Sequence, residues 1–224
     1  MTELWTSLIP LALGSALVPV QIVVTILLLR SAGRVSALAW VIGMTTVRLV
    51  QGVVFGLLLE SADDVTASGP GMAASMLLLV VAILFLVGAL NKLLSAPDDD
   101  APPPRWKSAL DGVAPARAFL FGAGIIVIGA KFWVFTLGAI AAIEAADLGI
   151  GATVAAFVAF VVLAASTHLV LVGLAFLAPA RAAVVVDRVG DFLEANDRPI
   201  MIAVGVVFGT WFLVKALDGF SSFA

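Results

Sequence analysis

Apolar residues run through this chain in stretches too long to fold into a water-soluble core, and that property decides what it can become. A helix crossing a bilayer needs about 20 consecutive, mainly apolar residues. Six stretches qualify: residues 4–29, 35–59, 72–94, 118–143, 149–178 and 199–217. Backbone groups in lipid must find partners within the structure, so each stretch predicts a helix. With 62% apolar and 12% charged residues and a mean hydropathy of +1.19, the chain reads as an all-α integral membrane protein. The absence of cysteine excludes disulfides, thiol redox chemistry and thiolate metal sites. A pI near 5.0 offers nucleic acid no basic surface. Met1-Thr2-Glu3 lacks the positive flank of a signal peptide and the apolar run continues to Leu29, which predicts a retained first span.

Basic residues orient the spans. Arg30 and Arg34, then Lys92, Arg105, Lys107 and Arg117, then Arg181, Arg188 and Arg198 fall beside alternate connections, whereas the opposite side has Lys215 alone. By the positive-inside rule those three connections face the cytoplasm. Both termini and the acidic loops carrying Asp63, Asp64, Glu144 and Asp147 are then expected outside, in a multi-pass protein of the inner (plasma) membrane.

Three spans per half imply that a repeat of the first half must enter from the opposite face, the inverted-repeat plan of many secondary transporters. The predicted organisation is a first three-helix half over residues 1–95, a Pro/Asp-rich cytoplasmic linker over 96–117 and a second three-helix half over 118–224. Thr45–Val50 (TTVRLV) aligns with Ala165–Val170 (ASTHLV), setting Arg48 against His168. Ala16–Val24 aligns with Ile126–Val134, setting Pro19 beside Gly129 and Gln21 beside Lys131. Within the second half, residues 180–198 carry Val185, Val189, Phe192 and Leu193 at helical spacing between charges, which predicts an amphipathic helix on the inner interface.

Two cations, Arg48 and Lys131, sit near the middle of apolar spans with no Asp or Glu at comparable depth. Such charges are costly in a bilayer and ordinarily face a bundle interior or a watery cavity, so the missing carboxylates point to an anionic partner from outside the chain. The planar fork of Arg48 suits carboxylate, sulfate or phosphate. Thr45 and Gln51, three residues to either side, extend it into one polar stripe. Pro19 predicts a kink or break in the first span, flanked by Gly14 and Gln21. Freed carbonyls there could instead satisfy Arg48, and backbone carbonyls could likewise cap Lys131 as a structural residue. His168, the sole histidine, follows Ser166 and Thr167 in the fifth span. It reads either as a proton carrier or as a neutral residue bonded between helices. No nucleophile, base and acid set can be assembled, nor any metal-ligand cluster, so no enzyme, cofactor or metal site is expected. Small residues should mark close helix contacts, among them Gly122, Gly124 and Gly129, and the GxxxG pair Gly52 and Gly56.

The segments Ala16–Arg34 (ALVPVQIVVTILLLRSAGR), Ala118–Trp133 (AFLFGAGIIVIGAKFW) and Val186–Leu217 resemble the Gap/Sap family, the glycopeptidolipid- and sulfolipid-addressing proteins of mycobacteria and relatives, within the LysE transporter superfamily. The resemblance runs nearly end to end. Gln21 stands where that family tends to have a second proline, and Gly129-Ala130 replace an Asn-Pro pair ahead of Lys131, so a break in the fourth span would lack its usual cause. The resemblance implies export or surface delivery of a membrane lipid or glycolipid in an actinobacterial envelope, with a homodimer or a lipid-export machinery as partner. Joined to the residues, it gives a transporter or translocase for an anionic lipid, with Arg48, Lys131, Pro19, Gln21, Thr45, Gln51, His168 and Ser166 around one site. Two alternatives stay open: a non-transporting accessory scaffold recruiting partners through its SAPDDDAPPP linker (Ser95–Pro104), and an exporter of a small anionic metabolite.

Overall fold

The computed structural model describes residues 2–62, 72–95, 110–144 and 146–221, and every element among them is helical. In chain order these are α1 (Thr2–Ala16), α2 (Pro19–Ser31), α3 (Arg34–Ala62), α4 (Met72–Leu94), α5 (Pro115–Ile128), α6 (Ala130–Glu144), α7 (Ile150–Ala164), α8 (Ser166–Leu177), α9 (Pro179–Ala195) and α10 (Asp197–Ser221). Two helices are by themselves long and apolar enough to cross a membrane, α3 over Arg34–Gly56 and α10 over Arg198–Ser221. Counting each of three bent pairs as one span brings the number to as many as five: α1 with α2 at 48°, α5 with α6 at 70°, and α7 with α8 at 61°. The chain is a membrane protein. The charged SAPDDDAPPP linker lies outside the described residues, apart from Ser95.

The three bends have different causes. Leu17 N donates to Leu13 O as the last bond of α1, Val18 is extended, and Pro19, which has no N–H to continue the ladder, opens α2. This is the break the sequence predicts. Between α5 and α6 the chain bends at Gly129 (φ −80°, ψ 83°), although no proline is present. At this bend the Trp133 indole Nε1 donates to Ile126 O at 2.7 Å and Val127 O at 3.1 Å. The fourth span is therefore broken without the Asn-Pro pair, because an aromatic donor one turn later satisfies the freed carbonyls. The fifth span, expected as one helix, is two: it bends at Ala165, whose N–H is shared between Val161 O (3.1 Å) and Val162 O (3.2 Å). Neither proline nor glycine marks that bend.

Contacts group the chain into two compact units, each drawing on both halves of the sequence: residues 1–59 with 103–192, and residues 60–102 with 193–224. In the first unit α1 packs on α6, α7 and α8, and α2 on α8. The long α3 is a strut. It meets α5 backbone to backbone at Gly43 and Gly122, where an added Cβ would collide with Phe119 O and Trp40 O respectively. It meets α7 where Gly52 lies under the Phe157 ring, and α6 through an edge-on Phe55–Trp133 pair at 5.6 Å. Of the expected GxxxG pair only Gly52 is closely approached; Gly56 has nothing within 4 Å. In the second unit α4 and α10 pack along Gly205 and Gly209, which face Ala89, the Phe85 carbonyl and Leu86, with Phe85, Phe208, Trp211 and Phe212 stacked alongside.

At one end of the first unit three connections meet. Ser36 Oγ donates to Val113 O at 2.8 Å, joining the start of α3 to the segment before α5. Arg34 lies over the Phe176 ring at 5.0 Å, and Arg30 pairs with Asp187 (3.0 Å) and Asp191 (3.4 Å) on α9. The segment expected as one amphipathic helix over 180–198 is α9 to Ala195 followed by the start of α10, and its buried residues are Ala182, Val186 and Gly190, whereas Val185, Val189 and Leu193 are half-buried and Phe192 is exposed.

Because Gly43 and Gly122 face backbone, their neighbours cannot yield by a rotamer change. Gly43→Ala or Gly122→Ala should each cost about 1–3 kcal/mol. Gly56→Ala should be near neutral. Thermal melts of the three variants in one detergent check this, and equal midpoints would remove the proposed crossing.

Candidate functional site

Buried polar side chains in the first unit collect around the bend between α1 and α2. Arg48, on α3, is 1% exposed, and its Nη2 donates to Ser15 Oγ at 2.7 Å, two residues before Leu17. Its Nε and Nη1 have no hydrogen-bond partner among the described residues. The sequence leaves open whether broken-helix carbonyls satisfy Arg48; the contact found is a side-chain hydroxyl, and it uses one nitrogen of three.

On the other side of the bend, Thr25 Oγ1 donates to Gln21 O at 2.9 Å and lies 2.9 Å from His168 Nδ1. A hydroxyl has one hydrogen to give. Both contacts form together when Thr25 gives its hydrogen to Gln21 O and the ring donates from Nδ1, the tautomer that leaves Nε2 as a bare acceptor. His168 Nε2 is buried with no partner among the described residues. His168 is fully buried in the first turn of α8.

Two further amides are orphaned. Gln21 and Gln51 are buried, and neither amide nitrogen nor oxygen of either has a partner among the described residues. Thr136 Oγ1 on α6 and Trp40 Nε1 on α3 share that condition. Buried polar atoms are almost always paired, by protein, water or ligand, so such a set in one unit marks a place built for more than apolar packing.

The sequence-predicted residues therefore divide. Arg48, Gln51, Gln21 and His168 are buried polar groups with unmet capacity. Pro19 supplies the bend, half-buried at the start of α2. Thr45 is half-buried and spends its hydrogen on Val41 O at 2.8 Å within its own helix. Ser166 is the half-buried first residue of α8 at the third bend. Lys131 is the second residue of α6, just past the Gly129 bend, and its side chain lies outside the described residues. Sequence reasoning missed Ser15, Thr25 and Thr136. Nothing local distinguishes them from the many small polar residues that membrane helices tolerate.

Within this unit Arg48 and the two amides have hydrogens to give, and His168 and the amide oxygens have lone pairs. Arg48 is a fixed positive charge with no acidic group bonded to it among the described residues. Chemically the unit can take up a group that is negative and that also donates hydrogen bonds.

Ser15→Ala should strand the anchored Arg48 nitrogen in an apolar surrounding at a cost of about 1–3 kcal/mol. Thr46→Val, which removes an exposed hydroxyl bonded within α3 to Ile42 O, should cost much less. Unfolding midpoints in detergent compare the two, and a Ser15→Ala midpoint no lower than that of Thr46→Val would count against the Arg48 anchor.

The model of one protein family, described as Sap, sulfolipid-1-addressing protein, matches this chain over residues 8–218. No curated protein and no solved structure matches it.

Proposed function

Because the chain belongs to the Sap, sulfolipid-1-addressing protein, family, we propose that it delivers an anionic lipid or glycolipid across or out of the inner membrane, holding the headgroup at Arg48. The observation that carries this reading is the buried guanidinium whose Nε and Nη1 are unpartnered in a packed helical unit. Charged groups inside a membrane are tolerated where a partner is available, and here the partner is taken to be the ligand's sulfate, phosphate or carboxylate. Gln21, Gln51 and His168 then serve the remaining oxygens and hydroxyls of the headgroup, and Lys131 adds a second positive charge from α6. The protein acts as a binder and carrier, not as an enzyme.

The transport scheme we infer is a six-span protein of two inverted halves, with α4 as the third span, in the manner of the LysE superfamily. Two observations support it. The connections around Arg34, Val113 and Phe176 meet at one end of the first unit, as they must if an even number of crossings separates them. The bends at Leu17–Val18 and at Gly129 also fall at nearly equivalent places when Pro19 is set beside Gly129. The halves are not identical, since α3 runs straight through Thr45, which aligns with the bend at Ala165. Bent helices facing a central charge suit alternating access, because each bend leaves polar backbone where a headgroup can pass.

Arg48→Gln should reduce surface delivery of the family's sulfated or phosphorylated glycolipid at least about tenfold, the equivalent of one charge-assisted hydrogen bond. Arg48→Lys should fall between Gln and wild type, having lost the planar fork. Surface lipid extraction from a deletion strain complemented with each variant provides the measurement. Full delivery by Arg48→Gln would sink the headgroup site and leave the accessory-scaffold reading in its place.

A further inference from the structure

His168 has more in its favour than a hydrogen bond to a headgroup. We propose that His168 Nε2 takes up a proton from water when an anion binds at Arg48 and returns it when the anion leaves, so that loading of the site is coupled to protonation. The proposal rests on the anion-site reading above.

The geometry leaves one place for that proton. In the tautomer that satisfies both Thr25 contacts, Nδ1 of the neutral ring donates to Thr25 and Nε2 is the free acceptor, buried and unpartnered among the described residues. Few charges compete for the ring. The helices packed on α8 are α1, α2 and α7. α7 has no titratable residue, and α8 none besides His168. α1 has Glu3, whose side chain lies outside the described residues. α2 has Arg30 at its far end, paired with Asp187 and Asp191. α3 contributes Arg34, seated over Phe176, the side chain of Glu60, outside the described residues, and the buried Arg48. Arg48 and His168 also hold opposite sides of one bend, through Ser15 before it and Thr25 after it.

A protonated His168 and Arg48, both buried and holding the two sides of one bend, oppose each other in the empty site. A bound anion cancels that opposition and brings oxygens that can accept from a protonated Nε2. Anion and proton therefore bind cooperatively, each raising the affinity for the other by the same factor.

The test uses octyl sulfate below its micelle concentration, titrated calorimetrically into the full chain in maltoside detergent. A sulfate monoester stays ionised throughout, whereas a phosphate monoester itself titrates near pH ~6 and would confuse the count. The Arg48→Gln chain supplies the baseline for partition into detergent. The expected wild-type result is binding above that baseline, an apparent enthalpy that varies with the ionisation enthalpy of the buffer, and an affinity rising towards about tenfold per pH unit as pH falls through the histidine range. His168→Gln and His168→Asn should bind above the baseline with neither buffer nor pH dependence. Wild-type binding that is indifferent to buffer, or variants that keep the wild-type slope, overturns the coupling while leaving the anion site standing. Monodisperse variants that no longer bind overturn it too, by making His168 a headgroup contact only. Wild-type binding no stronger than the Arg48→Gln baseline overturns the anion site itself, and the coupling with it.

Discussion

A permanently charged guanidinium inside a packed apolar unit is the constraint around which the first unit is organised. Arg48 cannot reach water from its place on α3, where it is 1% exposed, and among the described residues no acid is bonded to it. Something must answer the charge. One nitrogen is answered by Ser15, the others are left to a ligand, and Ser15 is available because α1 ends one residue later at the bend before Pro19. The charge and the broken helix are thus two parts of one device: the bend brings small polar groups to the depth where the arginine lies, and the arginine gives those groups a partner.

The same logic extends to the other bends. A helix interrupted inside a membrane exposes carbonyls that lipid cannot serve. At Gly129 the Trp133 indole serves two of them, which frees the fourth span from needing the asparagine and proline usual in the family it resembles. At Ala165 the chain bends within near-helical backbone and one amide is shared between two carbonyls. The turn places His168 at the start of α8, facing Thr25. The first bend brings Ser15 of α1 against Arg48 on the unbroken α3, and the third brings His168 of α8 against Thr25 of α2. The glycine contacts of α3 with α5 and α7 hold that helix close enough for this to happen, since between membrane helices close packing replaces hydrophobic drive.

Several features were legible in the residues themselves. Pro19 dictated a break because proline lacks the N–H a helix needs. The spacing of Thr45, Arg48 and Gln51 put one polar stripe on one face, and the burial of Arg48 and Gln51 with Thr45 half-covered agrees with it. The clustering of basic connections anticipated the junction of Arg30, Arg34 and their partners at one end of the first unit. The spacing of Val185 and Val189 anticipated a helix there, but the buried face is that of Ala182, Val186 and Gly190.

What the sequence determined by itself is the helical, membrane-embedded character of the chain and the presence of an uncompensated buried arginine, because both follow from hydropathy and charge at fixed spacing along the chain. Tertiary structure decided the rest. The Ser15–Arg48 bond joins residues 33 positions apart and the Thr25–His168 contact spans 143, so neither exists until particular helices pack. The bend at Ala165 has no proline or glycine to announce it. The choice of Gly43 and Gly122 for the tight crossing, while Gly56 stays open, depends on which backbone lies opposite. A glycine reads the same in every sequence, and only the helix across from it gives its missing side chain a meaning.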